Sequence, residues 1–224
     1  MSLFIKYGVY SNQISKIDRM YYNSNETDET YEIDIDTFAK INTVPSVYLN
    51  PDGIGGIAKR LYQKYASTAL NVFVELDIDN LTVINAVDSS LSGGGSIGGT
   101  RKRLFTSDLE IDGKLHELDP NTLAIINSIS AGNPYDDGTA GTKDRYYTCN
   151  DLSDDAYERN QDTFSIINTY TDINPSPTDV GAINDRMYSC SSVGDTLYEH
   201  NASTFAIIDS LAIGERPTGI GGVK

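Results

Sequence analysis

The chain has 224 residues, enough for one or two domains with a large buried core. Its formal net charge of −15 argues against a nucleic-acid backbone or an anionic membrane as a partner. Its two cysteines, Cys149 and Cys190, make neither a disulfide framework nor a zinc signature.

Residues 1–16 are the first distinct segment. The opening sequence, MSLFIKYGVYSNQ, lacks the long apolar core of a secretory signal, and no segment of the chain is long and apolar enough to cross a bilayer. These features predict a virion-associated or cytoplasmic protein. The segment is rich in apolar side chains and is predicted to be an N-terminal arm or an extra strand. These side chains are Leu3, Phe4, Ile5, Tyr7, Val9 and Tyr10.

From Arg19 onward the chain repeats itself with a period of about 42 residues. An arginine followed by two apolar or aromatic residues recurs at intervals of 41, 43, 42 and 41 residues, at Arg19, Arg60, Arg103, Arg145 and Arg186. A glutamate follows each arginine by 13 to 15 residues, at Glu32, Glu75, Glu117, Glu158 and Glu199. Two residues further on stand Asp34, Asp77, Asp119, Asn160 and Asn201. A fixed period of this kind indicates a repeat architecture.

The third repeat, residues 95–127, shows the predicted elements of one unit. A strand of small residues around Gly98 and Gly99 precedes two apolar runs that flank the turn Asp112-Gly113 and predict a hairpin. A second turn, at residues 119–122, leads to a fourth strand in the apolar run 123–126. The equivalent final runs of the other repeats are 38–41, 81–84, 164–167 and 205–208.

Four short strands in each repeat are typical of a β-propeller blade. The apolar runs are short, bounded by Asp, Asn, Gly and Ser, and lack the 3.6-residue period of a helix. The sequence therefore predicts an all-β fold, a five-bladed β-propeller of four-stranded blades of about 42 residues, in a single domain over residues 1–224. Glycines inside the first strand of each unit predict close approach of the inner strands at the axis.

The two ends of the repeat region predict how the ring closes. Residues 219–224 copy the glycine-rich inner strand but have no hairpin after them, whereas the residues just before Arg19 lack the glycines. We predict that residues 219–224 supply the inner strand of the blade whose other strands come from residues 19–43, because an unclosed ring would leave open sheet edges. The alternative is that residues 219–224 begin a sixth blade of a longer protein.

The unit G-I-G-G…R-L-[YF]…L-H-E-L-D-P-N-T-L-A-I-I-N resembles the short propeller repeats of NHL-type and surface-layer YVTN-type proteins. It is most similar to the G-I-G-G…Y-E-L-D repeats of predicted tail-fibre or other structural proteins of bacteriophages and environmental viruses. The resemblance spans residues 19–222, and it departs from the pattern at Asn160 and Asn201, which replace an aspartate. It implies a propeller fold and a virion or adhesin-type role, and it carries over no functional residue.

The five repeated glutamates are the first candidates for chemistry. A ring of carboxylates could bind a central cation, as in metal-dependent propellers of the lactonase kind. However, the glutamates fall on the third strand of each blade, away from the axis. We predict instead that each glutamate pairs with the arginine of its own hairpin, because a buried charge needs a partner.

The remaining polar residues give no catalytic, metal or cofactor site, and the protein is predicted not to be an enzyme. His116 and His200 are predicted to be ordinary blade surface, and no Gly-x-Ser-x-Gly elbow is present. Acidic loops at 25–29, 108–113, 135–138 and 151–155 offer oxygen ligands for calcium, but they are predicted to be solvated turns. Cys149 and Cys190 occupy equivalent slots of neighbouring blades, too far apart for a disulfide, and are predicted to be free and buried.

Three hypotheses follow. The favoured one is a non-enzymatic structural or interaction propeller, a phage virion or tail-associated component that binds another protein of an assembly or a host surface. The second is a carbohydrate-binding lectin with pockets between blades, in which tyrosines would stack on sugars. The third is a metal-dependent lactonase or hydrolase that uses the axial opening. The tyrosines are otherwise predicted to pack between blades, at Tyr21, Tyr31, Tyr62, Tyr147, Tyr157, Tyr188 and Tyr198.

Overall fold

The computed structural model describes residues 18–66, 71–91, 93–100, 102–108, 113–131, 136–142 and 145–224. The predicted N-terminal arm, residues 1–16, lies outside these described residues. Parts of two predicted acidic loops, at 109–112 and at 135, lie outside them as well.

The described residues form five four-stranded antiparallel sheets, each of which is one blade. Blade 1 contains β1 (Arg19–Ser24), β2 (Glu29–Ile33), β3 (Lys40–Pro45) and β20 (Pro217–Val223). Blade 2 contains β4 (Pro51–Ile57), β5 (Arg60–Ala66), β6 (Asn71–Leu76) and β7 (Val83–Asp88). Blade 3 contains β8 (Ile97–Gly99), β9 (Leu104–Asp108), β10 (Lys114–Leu118) and β11 (Ile125–Ser130). Blade 4 contains β12 (Asp136–Gly141), β13 (Tyr146–Asn150), β14 (Asp155–Arg159) and β15 (Ile166–Tyr170). Blade 5 contains β16 (Pro177–Ile183), β17 (Arg186–Ser191), β18 (Thr196–His200) and β19 (Ile207–Ala212).

This architecture confirms the predicted five-bladed propeller, including its closure. The C-terminal strand β20 pairs antiparallel with β1, with Val223 opposite Arg19 and Gly221 opposite Tyr21. The first blade is therefore completed by the last strand of the chain, and residues 219–223 do not begin a sixth blade. Because β1 and β20 are far apart in sequence, their pairing links the two ends of the ring in one sheet.

The apolar core consists of five clusters, and each cluster fills one interface between neighbouring blades. At the interface of blades 3 and 4, for example, the ring centroids of Phe105 and Tyr146 are 4.4 Å apart. Six of the seven tyrosines predicted to lie between blades are buried, and Tyr198 is half-buried. Aromatic rings with a polar tip suit such an interface because their hydroxyl groups can reach its edge.

The inner strands crowd the axis, as their glycines predicted. A Cβ atom added at Gly98 would lie 2.0 Å from the carbonyl oxygen of Thr139 in the next blade. A Cβ atom at Gly55 would lie 2.3 Å from the carbonyl oxygen of Ile97. The axial cavity between the inner strands measures only about 10 Å³, which leaves space for no more than about one water molecule. The described inner strands are thus closely packed around the axis.

The final apolar run of each repeat is a turn followed by an edge strand. Its first residue is buried and has a left-handed backbone, with φ between 54° and 58°, at Phe38, Leu81, Leu123, Phe164 and Phe205. The preceding turn is held by the predicted aspartate or asparagine. In blade 1, for example, Asp34 Oδ1 accepts hydrogen bonds from the N–H groups of Asp36 and Thr37 at 3.0 and 2.8 Å. This turn directs the chain from the third strand to the outer strand of every blade.

Candidate functional site: the blade seams and the outer rim

All five predicted arginine–glutamate pairs are present. Arginine Nε lies within 2.8 Å of a glutamate oxygen in three blades, in the pairs Arg60–Glu75, Arg103–Glu117 and Arg186–Glu199. The shortest nitrogen–oxygen distance is 3.5 Å in the other two, Arg19–Glu32 and Arg145–Glu158. The glutamates therefore face arginines within their own blades, away from the axis, and do not form a central carboxylate ring.

The same arginines join neighbouring blades. Arg60 of blade 2 donates to Pro120 O at 2.7 Å, in the turn of blade 3. Arg103 of blade 3 contacts Asp162 of blade 4 at 2.7 Å. Arg186 of blade 5 reaches Asp36 of blade 1 at 2.6 Å, and Arg19 of blade 1 reaches Asp79 of blade 2 at 3.2 Å. Each of these four arginines thus links the glutamate of its own blade to the turn of the next blade.

Blade 4 is the exception to this ring of arginines. The Arg145 side chain is 51% exposed, against 25 to 32% for its four equivalents. Among the described residues, Arg145 makes no ion pair with blade 5, whose turn carries Ser203 where the other turns carry Asp or Asn. A shallow cavity of about 270 Å³ lies beside it, lined by Arg145, Glu158, Arg159, Asn160, Gln161, Asp162 and Ile167. The seam between blades 4 and 5 therefore lacks one of the repeated contacts.

Replacing Ser203 by aspartate should restore this contact. The new carboxylate would occupy the turn position at which Asp36 and Asp162 contact arginines of neighbouring blades. Ser203→Asp should therefore raise the free energy of unfolding by about 0.5 kcal/mol, the size expected of a partly exposed ion pair. Urea unfolding at low salt measures the gain. The same substitution in an Arg145→Gln background is the control, and an equal gain there would contradict the pairing.

A second ring of contacts joins the blades at the opposite end of the inner strands. A side chain of each blade donates to a backbone carbonyl oxygen of the next blade around the ring. The five contacts are Thr218 to Pro51 at 2.6 Å, Lys64 to Ser107 at 2.7 Å, Ser107 to Asp137 at 2.8 Å, Cys149 to Pro177 at 3.5 Å and Thr178 to Pro217 at 3.1 Å. These buried polar groups thus hold the ring closed, and their hydrogen-bonding capacity is used by the fold.

Several buried ionisable groups lie near this second ring. Burial lowers the pKa of Lys64 to about 8, although the nearby carboxylates of Asp52, Asp108 and Asp137 act in the opposite direction. Burial also raises the pKa of Asp179 well above its usual range. The Asp179 carboxylate accepts hydrogen bonds from the N–H groups of Thr139, Val180 and Ile220, at distances between 2.8 and 3.1 Å. Because these donors belong to three blades, Asp179 acts as a further clamp between them.

The two histidines are buried, so their predicted place on the blade surface was wrong. His200 Nε2 lies 2.7 Å from Ser189 Oγ, and its Nδ1 lies 2.9 Å from Phe205 O. Burial lowers the pKa of His200 to about 4, which keeps the imidazole neutral. The serine–histidine pair resembles part of a hydrolase triad, but both residues are almost wholly inaccessible and the third partner is a backbone carbonyl oxygen. His200 therefore connects strands within blade 5.

The remaining predicted residues give no clustered site. Cys149 and Cys190 are free and buried, as predicted. Burial raises the pKa of both thiols well above the ordinary value, so they are poor nucleophiles. Among the described residues no three His, Cys, Asp or Glu side chains are placed to hold a metal ion. In the same part of the chain, no helix has the length and apolar character to span a membrane.

The outer strands carry the feature that sequence reasoning missed. One isoleucine in each is 59 to 62% exposed, at Ile41, Ile84, Ile126, Ile167 and Ile208, and we call these five residues the isoleucine rim. Each is the extra residue of a β-bulge; in blade 1, Glu32 pairs with Asn42 and Ile33 with Lys40, which leaves Ile41 unpaired. A neighbouring apolar residue is also exposed in four blades, at Val83, Ile125, Ile166 and Ile207.

In four of the five blades, the residue after the rim isoleucine occupies a backbone N–H group of the outer strand and so makes the sheet edge less able to pair with another strand. The side-chain oxygen accepts a hydrogen bond from the next backbone N–H at 2.8 to 3.0 Å, at Asn42, Asn127, Asn168 and Asp209. A bulge and an occupied N–H group both oppose pairing with a foreign strand. The rim therefore presents apolar side chains on an edge that is poorly suited to strand addition.

Comparison with solved structures supports the fold. One chain of a nidogen/laminin complex aligns with a TM-score of 0.68 and 9% identity over 92% of this chain and 98% of its own. The Myxococcus xanthus glutaminyl cyclase gives a TM-score of 0.59 and 8% identity over 92% of this chain and 75% of its own. A Bacteroides caccae protein of unknown function gives 0.58 and 10% identity over 92% and 99%. No protein-family model matches the chain, and no curated protein matches it either. At these identities the likeness concerns the fold alone.

Proposed function

We propose that the protein is a non-enzymatic interaction module that docks another protein on its isoleucine rim. The observation that carries the proposal is the recurrence, in all five blades, of one isoleucine that is 59 to 62% exposed at the same bulge. Isolated exposed apolar residues are ordinary on a protein surface, but exposed apolar surface that recurs at one structural position in every blade is not an isolated occurrence. In four blades the exposed neighbour at the preceding position widens this surface.

Two features argue against an enzyme. The axis, where propeller enzymes of the lactonase kind hold their metal, is filled by inner-strand backbone. The buried polar side chains described above, including Ser189 and His200, are engaged in contacts that hold blades and strands together. Neither the axis nor this set of buried side chains therefore offers an accessible group of acid, base and nucleophile. A screen of lactone and phosphoester substrates should show no turnover.

The charge of the chain specifies the chemistry of the partner. With a formal net charge of −15, the module should favour a protein that surrounds an apolar contact with lysine and arginine. Because the outer strands are poorly suited to pairing with a foreign strand, docking through side chains is favoured over strand addition. The resemblance to phage tail-fibre repeats makes a tail or virion assembly, or the host surface it meets, the first setting in which to seek this partner.

A lectin is less well supported. Equivalent pockets between blades would be expected, but the cavity beside Arg145 belongs to blade 4 and its lining includes no aromatic ring on which a sugar could stack. The nidogen/laminin complex, by its title, is an assembly of proteins. A chain of similar fold in an assembly of proteins supports protein recognition over sugar binding.

A triple rim variant tests the proposal. Ile84→Ser, Ile126→Ser and Ile167→Ser together should reduce capture of the partner from an extract of the source cells at least about tenfold, because about 1.4 kcal/mol of lost contact energy already changes affinity by that factor. Quantitative mass spectrometry of proteins retained by immobilised variant and parent measures the loss.

A matched control changes equally exposed apolar residues elsewhere. Leu49, Leu152 and Val193 are 57 to 69% exposed and lie outside the outer strands. Their triple serine variant should retain the partner, and both variants should fold because exposed substitutions change stability little. A protein retained equally by parent, rim variant and control variant would contradict docking on the rim.

A further inference from the structure

The four arginines that contact a neighbouring blade bind its turn in a common way. Arg186 donates to the carbonyl oxygen of Ile35 at 2.8 Å and to the carboxylate of Asp36, the next residue, at 2.6 Å. The equivalent acceptors are Ile78 O and Asp79 for Arg19, Pro120 O and Asn121 for Arg60, and Asp162 for Arg103. A guanidinium suits such a ligand because its N–H donors form a planar fork. The common ligand is therefore a turn that presents a side-chain oxygen, in three cases together with the preceding backbone carbonyl.

Arg145 has the same place in blade 4 but a different environment. The equivalent turn position of blade 5 carries the uncharged Ser203. One oxygen of its own glutamate is also engaged elsewhere, because the hydroxyl group of Tyr170 donates to Glu158 Oε2 at 2.9 Å. In the other four blades the position of Tyr170 holds an aliphatic residue, at Val44, Val87, Ile129 and Leu211. Blade 4 and its neighbour thus depart from the repeat at two positions, and both departures leave Arg145 able to bind a further acceptor.

The presence of Glu158 does not prevent a second carboxylate from binding Arg145. Arg103 contacts the carboxylates of Glu117 and Asp162 at the same time, each at 2.7 Å. A guanidinium has five N–H donors and can serve two carboxylates. Arg145 therefore has donors for a carboxylate supplied from outside the chain.

The cavity beside Arg145 connects this arginine to the isoleucine rim. Its volume is about 270 Å³, and Ile167, the rim isoleucine of blade 4, forms part of its wall. Pockets for drug-sized ligands begin at about 300 Å³, so this shallow cavity suits one side chain and the backbone next to it. A cationic group and an exposed apolar group thus lie side by side at one place on the ring.

We propose that this cavity binds an aspartate-bearing turn of the partner protein, whose carboxylate pairs with Arg145 and whose neighbouring apolar side chain packs on Ile167. The inference rests on the rim being a docking surface, as proposed above, and names the chemistry that the partner presents at blade 4. On a partner surface that is otherwise basic, one aspartate fixes the orientation of the partner on the ring, because complementary charges set the register of an interface. The other four arginines are already bound to a neighbouring turn.

A peptide copy of a turn that the protein already binds tests the site. The probe is acetyl-isoleucyl-aspartyl-amide, which reproduces Ile35 and Asp36, and its matched control is acetyl-isoleucyl-asparaginyl-amide. Each is titrated at low salt, which limits the screening of exposed charges, into full-length protein labelled with nitrogen-15 at arginine and carbon-13 at isoleucine δ1 methyl groups. The NMR signals of Arg145 Nε and the Ile167 methyl group should shift together and saturably with the aspartyl peptide. The asparaginyl peptide should bind about fivefold more weakly because it lacks the charge.

Two variants and a second arginine make the test specific. Arg145→Gln and Ser203→Asp should each weaken binding of the aspartyl peptide at least about fivefold, the first by removing the donor and the second by supplying a carboxylate from blade 5. Arg216 is an exposed arginine outside the ring, and its Nε signal should not move. Equal shifts at Arg145 and Arg216 would show only the ion pairing that any exposed arginine gives, and would overturn the proposal. Binding that survives Arg145→Gln would also overturn it.

The two proposals can fail separately. The partner retained by the parent protein should be retained about fivefold less by Arg145→Gln and fully by Arg216→Gln. A partner that is lost from the triple rim variant but fully retained by Arg145→Gln would remove the aspartate contact and leave the proposed function intact. Peptide binding at Arg145 together with capture that ignores the rim variant would do the reverse.

Discussion

Asp136→Ala is expected to lower the free energy of unfolding by about 3 kcal/mol, the scale found when one partner of a buried ion pair is removed. Asp136 and Arg159 are both almost fully buried and form an ion pair in blade 4. Arg159 also donates to Thr148 Oγ1 and Phe164 O, both at 2.9 Å, so its guanidinium is fixed inside the blade. Without the carboxylate, a positive charge would stay buried with only neutral acceptors. Urea unfolding of variant and parent measures the cost.

The repeats themselves provide the compensating change. The slot of Asp136 holds Pro51 in blade 2, and the slot of Arg159 holds Leu76. Asp136→Pro with Arg159→Leu should therefore recover most of the stability lost by Asp136→Ala, because apolar replacement of a buried ion pair is often neutral or stabilising. Arg159→Leu alone should be destabilising because it leaves the Asp136 carboxylate buried. A double variant no more stable than the worse single variant would show that the pair is not the source of the loss.

The sequence predicted those parts of the fold that are encoded by the same residue types at the same position of every repeat. The period predicted five blades, and the fixed spacing of arginine and glutamate predicted a contact that forms in every blade. The glycines of residues 219–222 predicted the closing strand because only an inner strand requires them. In each case several copies of one pattern had a single physical explanation.

The isoleucine rim could not be predicted in the same way. A run such as residues 123–126 is equally apolar whether its side chains are buried or exposed, and the left-handed backbone of Leu123 has no signature in a single apolar residue. The asparagine or aspartate after each rim isoleucine was the available signal, since a polar residue in the middle of an apolar strand is typical of an edge. The buried Asp136–Arg159 pair had a signal as well, because blade 4 departs from the repeat at both slots together.

Departures from the repeat occur at the inner ends of blades 2, 4 and 5, where Lys64, Asp137, Cys149 and Asp179 replace or adjoin small residues. These side chains bridge blades or raise the local negative charge, and none of them reaches the rim. Residues that depart from the repeat near the axis therefore help to close the ring. At the rim, by contrast, every repeat keeps an exposed isoleucine. This separation supports the proposal that a partner protein binds at the outer strands.

Asp137→Asn is expected to make the protein more stable than its parent as the pH rises. Burial raises the pKa of Asp137 to about 9, and the neighbouring carboxylates of Asp151, Asp179 and Asp136 add to the shift. An aspartate in an unfolded chain titrates near pH 3.9. Between these values the folded protein holds a proton that the unfolded chain has released. The stability contributed by Asp137 is therefore complete in acid and is lost as the pH rises towards 9.

The expected size of this pH effect on stability follows from the release of one proton by Asp137. Each pH unit in this window lowers the stability of the parent relative to Asp137→Asn by up to about 1.4 kcal/mol, so the difference between the two proteins should change by up to about 4 kcal/mol from pH 5 to pH 8. Urea unfolding of both proteins at several pH values measures it, and the titrations of Lys64 and the histidines largely cancel in the comparison. Asp185→Asn, in an exposed turn of blade 5, is the control and should run parallel to the parent. Parallel curves for Asp137→Asn as well would mean that Asp137 is ionised in the folded protein and that its charge is balanced by Lys64.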